Sequence, residues 1–482
     1  MLTHLYRIRS IEKLLGMGEL ENQQIYFSPV EDLNDPVEGY KDLLWRGDHV
    51  AWRNLLKHYV LCLLNVVPVC FIGGPDFDRN VLRKVVPAVP SGLPDAPIRL
   101  IYEKVLTAFL SELQVQEFLN LMAARTAPVR RHELTYYLRN LHSFALHATL
   151  KEFAALGLVG DPTFMAGKDP EEFRRNVSNA MRGAAALPDI QHRTEWSAET
   201  FFLFNSSLIS QLHLCNEYQI IDRVNTRPMA LFTHYFAPTY VAALERLVHP
   251  DLYLACFVAN VTNASMWGQY GNGHRGVALK FRVTTNERGN PTIPIRQIVG
   301  ATAAKGRATV PILEHRPMEC LKVNYSPRFP PVDFFNSLGA LSNEKLYTFW
   351  YKGDREGEFS ISAKEAFKDQ EARETYWDAL ETGALSKTPD WRLEEEYRIL
   401  YRPGWSLNEP TDRLLGYKFE DLTGIVFGAR TDLEDKLQIM RIIDKKCAQH
   451  KRSDFEFSEI LFMPETSTFI ERRLDLVKVK HE

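Results

Sequence analysis

The chain is 482 residues long, too long for one ordinary hydrophobic core and suited to two or three packed units. At 45% hydrophobic and 25% charged residues its composition is that of a soluble globular protein. A formal net charge of -3, from 58 basic and 61 acidic residues, excludes an overall pull toward nucleic acid or an anionic membrane, while local basic patches stay open.

In chain order, HLYRIRS (4–10) reads as a strand and IEKLLGMGEL as a short helix closed by glycine. QIYFSP is a second strand stopped by Pro29, and VEDLNDPVEGY is a polar loop with a strong turn signal at Asn34-Asp35-Pro36. From residue 48 to 249 helical periodicity dominates, as in LIYEKVLTAFLSELQVQEFLNLMAA and HELTYYLRNLHSFALHATLKEFAALG. The most apolar run, Tyr59 to Gly74, is too short to span a bilayer and contains Pro68. It reads as a buried helix ending near that proline, so no membrane partner is expected. The stretch from Val85 to Pro97 is a proline-rich connector.

Strand signals return at LYLACFVANV, GVALKFRV and CLKVNYS. FFNSLGALSNEKLYTFWYK and SAKEAFKDQEARETYWDALE read as helical, and WRLEEEYRILYRP is ambiguous, leaning to strand. LTGIVFGA is a strand, TDLEDKLQIMRIIDKKCAQ an amphipathic helix capped by Thr431 or Asp432, and RRLDLVKVK a final alternating strand. The expected fold class is α+β: a mixed small sheet with flanking helices, interrupted by a large, mostly α-helical insertion. Its domain would comprise residues 1–47 and 250–482, with 48–249 as the insertion.

The six cysteines form no CxxC pair, which speaks against a zinc ribbon or a thioredoxin-like site. Most lie inside apolar segments and read as small buried hydrophobes in a protein of the reducing cytoplasm, and the N-terminus lacks the layout of a signal peptide.

Three segments carry candidate chemistry. In SMWGQYGNGHRGVALKF a strand–loop–strand would present Trp267, Tyr270, His274 and Arg275 near its tip. Trp267 is the expected packing residue, while Tyr270 and the titratable His274 would face a ligand. A glycine-rich hairpin with a solvated His274 is the bland alternative. In WRLEEEYRIL a strand would put Glu394, Glu396 and Arg398 on one face, where two carboxylates need a partner. A helix would make Glu394 and Arg398 a surface pair. In YFSPVEDLNDPVEGY, Asp35 and Glu38 beside Asn34 form either an oxygen cluster for a hard cation or a capped turn.

These segments, in this order and with YRIRS, VNYS, Lys387 and IVFGA, resemble a mostly bacterial family of uncharacterised proteins, domain of unknown function 2971. The matching positions are Asn34, Asp35, Pro36, Glu38, Met266, Trp267, Tyr270, His274, Gly276, Trp391, Glu394, Glu396 and Arg398. The helical insertion departs from the family pattern, which brings the blocks closer together. A second resemblance is to ADP-ribosyltransferases of the arginine-serine-glutamate type, carried by Arg7, Ser28 and Glu394-Glu395-Glu396 in that order. The proline after Ser28 departs from that group's serine-threonine-serine run.

That resemblance implies NAD as substrate, with Arg7 on a phosphate, Glu396 as the catalytic carboxylate and Glu394 activating the acceptor. The expectation is a nucleotide- or NAD-handling enzyme, an effector of bacterial stress or phage defence by its family type. One alternative is a metal-dependent nucleotide or nucleic-acid hydrolase, in which Asp35, Glu38, Glu394 and Glu396 hold a divalent metal, His274 is the base and Arg398 clamps phosphate. Another is a non-catalytic nucleotide sensor whose helical insertion contacts a protein partner. All three put a phosphate-bearing small molecule or nucleic acid at the site.

Overall fold

The structure, a computed structural model, describes residues 2–73, 96–160, 162, 169–190, 197–220, 231–302, 310–326, 328–404 and 406–479. The proline-rich stretch from Val85 lies, except for its last two residues, outside them. The chain divides into two compact units: Met1–Tyr40, Asp251–Pro330 and Leu380–Glu482 form one, and Lys41–Pro250 with Pro331–Ala379 form the other. Residues 331–379, expected in the sheet-bearing domain, therefore belong with the helices.

The first unit is built on a mixed sheet and is α+β. From one edge its strands run Thr468–Arg473, Glu456–Met463, Leu422–Phe427, Val277–Arg282, His4–Arg9, Tyr253–Val258, Glu396–Tyr401, Val310–Lys322, Pro291–Thr302, Leu414–Tyr417 and Gln24–Tyr26. Glu456–Met463 lies parallel to Leu422–Phe427; the other pairings along this path are antiparallel. Alternation decides the faces. Leu5, Phe257, Leu279, Phe281 and Ile399 enter one core, while Ile8, Val258, Ala278 and Val426 enter a second cluster around Trp267. The Leu433–His450 helix buries Ile439, Ile443 and Cys447, four residues apart, against the first core. Asp432 is its N-cap by position, whereas the Thr431 hydroxyl bonds the carbonyls of Gly276 and Gly428 instead.

The sequence reading fails at three elements here. The expected strand–loop–strand at residues 265–281 is a short helix, Ala264–Gln269, and a turn leading into Val277–Arg282. Asn263 starts the helix by accepting from the Ser265 amide at 2.9 Å. The final strand is Thr468–Arg473 rather than 472–480. Leu474 and Val477 pack on the core, but Leu476 is 99% exposed, so the alternation there marks no strand. WRLEEEYR splits into a 3₁₀ turn, Pro389–Glu394, and the Glu396–Tyr401 strand.

The second unit is mostly helical, with a small sheet of Pro331–Asp333, Asp42–Trp45 and Val129–Arg130. Its helix His49–Gly73 runs on past Pro68 instead of ending there. Residues Leu61–Leu64, Val66 and Val67 are all buried, and burial around the helix offsets the roughly 3 kcal/mol a proline costs. Among the described residues no helix is long and apolar enough to cross a membrane.

Candidate functional site

The site begins with a fork in the sheet of the first unit. Tyr253–Val258 pairs along one edge with Glu396–Tyr401 over its whole length. Its other edge is shared: Tyr6 pairs with Val258 at one end, and Ser28 and Pro29 pair with Leu254 and Tyr253 at the other. Residues 255–257 have no described partner strand on that edge, and an exposed carbonyl there requires a donor. Arg7 provides it, donating to the carbonyls of Cys256 at 3.2 Å and Tyr26 at 2.7 Å. A cleft of about 650 Å³ opens at the fork, lined by Tyr6, Arg7, Ser28, Cys256, Tyr270 and Glu396 among others.

Register sorts these side chains. Residues paired across strands share a face, so Tyr6, Val258 and Glu396 form one row, Cys256 and Arg398 the next, and Ser28, Leu254 and Leu400 another. Arg7 is of opposite parity to Tyr6 and reaches the cleft through the fork. It is 5% exposed, its Nε has no partner, and no carboxylate lies within ion-pair distance of it among the described residues. Burial and the neighbouring Arg9 lower its pKa to about 10. It is nonetheless a cation at neutral pH.

Beside the cleft is a buried ionic network. Lys387 Nζ contacts Glu394 Oε2 at 2.6 Å, Glu38 Oε1 at 2.8 Å and Glu396 Oε2 at 3.5 Å, and lies 4.5 Å from the Trp391 ring centroid. Arg398 grips Glu396 with two nitrogens, each at 2.9 Å, reaches Glu38 at 2.7 Å and donates to the Ala384 carbonyl at 2.7 Å. Three carboxylates thus face two cations, all five side chains at most 5% exposed. Burial alone would raise Glu396, but Arg398 and Lys387 hold it below the usual carboxylate range. Glu394 moves the other way, raised by burial. Tyr325 Oη accepts from the Glu396 amide at 2.9 Å.

Tyr270 closes the network. Its hydroxyl lies 3.1 Å from Asn34 Oδ1 and 3.2 Å from Glu394 Oε1. The hydroxyl is the donor to both, so its one proton is shared between the two acceptors. Of the two, Glu394 is the ionisable one, its pKa raised by burial. It arrives here because Glu395 adopts φ 47°, which bends the chain between the 3₁₀ turn and the strand. The expectation of Glu394 on the strand face is corrected in its geometry, although Glu394, Glu396 and Arg398 do converge.

Other expected residues take different positions. Trp267 is fully buried and donates to the Val261 carbonyl at 2.6 Å. His274 is not among the residues lining the cleft. Its backbone has φ 70° and bonds Trp267 and Arg430, and its ring stacks on Phe469 at 5.4 Å. Burial and Arg430 lower its pKa. Arg275 is exposed, outside the cleft lining. Asp35 accepts from the Val37 amide at 3.0 Å, a turn-forming contact.

Glu38, Glu394 and Glu396 surround an ammonium, so this donor set does not fit a divalent metal. No group of three or more His, Cys, Asp or Glu suited to a metal occurs among the described residues. Lys387, Tyr325 and Cys256 were absent from the expected site. Lys387 and Tyr325 stand in motifs that carried the family resemblance, a signal for them that local charge patterns lack.

No curated protein and no solved structure matches the chain. Residues 266–399, which hold Tyr270, Lys387, Glu394, Glu396 and Arg398, match the family described as Protein of unknown function (DUF2971), the one its motifs resemble.

Proposed function

We propose that the cleft binds a nucleotide, NAD foremost, and that the protein is an ADP-ribosyltransferase-like enzyme acting on its ribose–base bond. The observation that carries this reading is that Arg7, Ser28 and Glu396, distant in sequence, line one cleft at a fork of strands. Arg7, a buried cation without a carboxylate partner among the described residues, holds a phosphate. Glu396, kept ionised by Arg398, faces the ribose. As the C1′–nitrogen bond breaks, its electron pair leaves with nicotinamide and positive charge develops on the ribose. The surplus of one carboxylate over the two buried cations stabilises that charge. Glu394, whose raised pKa suits proton exchange, takes the proton of the acceptor as it bonds to C1′.

Binding without turnover is a second reading, favoured by the grip of Arg398 on both Glu396 oxygens. Incubation with NAD, read by nicotinamide release and thermal shift, separates the two. Release abolished in Glu396→Gln supports the enzyme; a thermal shift without release, lost in Arg7→Gln, supports the sensor. Neither release nor shift sinks both. EDTA is expected to leave release unchanged, whereas its loss in EDTA would favour the hydrolase.

A further inference from the structure

A second cavity lies in the helical unit, different in character from the ionic cleft. It measures about 790 Å³, within the range of small-molecule pockets. Arg53 and Lys57, one helical turn apart on His49–Gly73, project into it and both hold Asp354. Asp354 belongs to the loop closed by the Lys352–Phe359 bridge, and its own side chain is 45% exposed. Burial would raise its pKa, but Lys57 and Arg53 bring it below the usual range. Two half-buried cations thus hold one carboxylate at the wall of a cavity. Lys345, also lining it, has no ion pair among the described residues.

The remaining wall is aromatic and aliphatic: Tyr102, Leu106, Leu110 and Phe349. Tyr102 is fixed by donating to the Lys57 carbonyl at 3.1 Å. Thr348 and Phe349 are presented by a π-helix, Leu346–Tyr351, a wide turn frequent at functional sites because it re-aims side chains.

We infer that this cavity is a second ligand site, for a small molecule with a phosphate or carboxylate head on a flat aromatic body, and that Asp354 occupies the head-group position until such a ligand displaces it. Arg53 and Lys57 form the clamp, Lys345 adds charge, and Tyr102 and Phe349 flank the ring. The inference stands apart from the proposed activity, since none of these residues lines the cleft at the fork.

The test is calorimetric titration with AMP and with 2-naphthoate, which share this chemistry but come from different sources. AMP binding alone identifies a nucleotide, naphthoate binding alone an aryl carboxylate, and each supports the site. Asp354→Asn removes the internal competitor and is expected to bind about tenfold more tightly, the equivalent of one charge-assisted contact. Arg53→Gln with Lys57→Gln is expected to abolish binding at this cavity, and Asp354→Glu to bind as the parent does. Thermal melts verify that each variant is folded. Binding by Asp354→Asn no tighter than the parent's, a binding isotherm unaltered by the double substitution, or no binding of either probe to any folded variant overturns the inference.

Discussion

Replacing Lys387 with methionine removes one ammonium and leaves Glu38, Glu394 and Glu396 buried with Arg398 alone. Methionine matches the length of the aliphatic stem, so the packing against Trp391 is largely kept and the perturbation is one of charge. Removing one partner of a buried ion pair costs about 3–5 kcal/mol. At roughly 2–4 °C per kcal/mol for a unit of this size, the unit should melt about 6–20 °C lower at pH 7.5. The orphaned carboxylates recover part of that by taking up protons, so the deficit should shrink at pH 5. Lys387→Met with Glu394→Gln should recover part of the loss at pH 7.5 for the same reason. Near-ultraviolet circular dichroism against temperature reads the transition. A melting point within about 2 °C of the parent's at pH 7.5, or a deficit as large at pH 5, would refute the assignment of Lys387 as the network's counterion.

Gly276→Ala places a methyl group against the Arg9 carbonyl oxygen and within 3.0 Å of the Gly271 Cα. It should destabilise the first unit by about 1–3 kcal/mol, measured by urea unfolding, and an unchanged midpoint would deny that close approach. His249, 4% exposed, has a pKa lowered to about 3 by burial and by Lys41. Its folded pKa lies below the ordinary 6.5, so its contribution is present above pH 6.5 and lost as pH falls toward 3. At 1.36 kcal/mol per pKa step the loss has an upper bound of about 5 kcal/mol. In His249→Phe the fall in melting temperature between pH 6.5 and pH 4 should flatten; a slope equal to the parent's would count against a buried neutral imidazole.

Much of this was legible where one face of an element is buried. Val277, Leu279 and Phe281 alternate because the pleat sends them into one core, and Ile439, Ile443 and Cys447 repeat at helical spacing for the corresponding reason. The segment from Ser265 misled because its aromatic and glycine content resembles a hairpin. The capping Asn263 and the positive φ angles of Asn272, Gly273 and His274 are backbone facts that composition does not carry. His274 looked catalytic by type, yet its ring packs on Phe469, 195 positions away in the sequence. Lys387 looked ordinary because a lone lysine gives no local hint of three carboxylates converging on it.

The fork also governs when the cleft can exist. Its edges come from residues 4–9, 28–29, 253–258 and 396–401, and the Arg398–Glu38 contact spans 360 positions. Closing such long loops precedes any gain from the contacts they make, which slows folding. A chain emerging from the ribosome displays the first strand and the Ser28 edge long before the strand that both must flank is made. Until residue 401 has been added and the sheet has zipped, the fork lacks the strand that carries Glu396. The cleft thus arrives late in synthesis, and all at once.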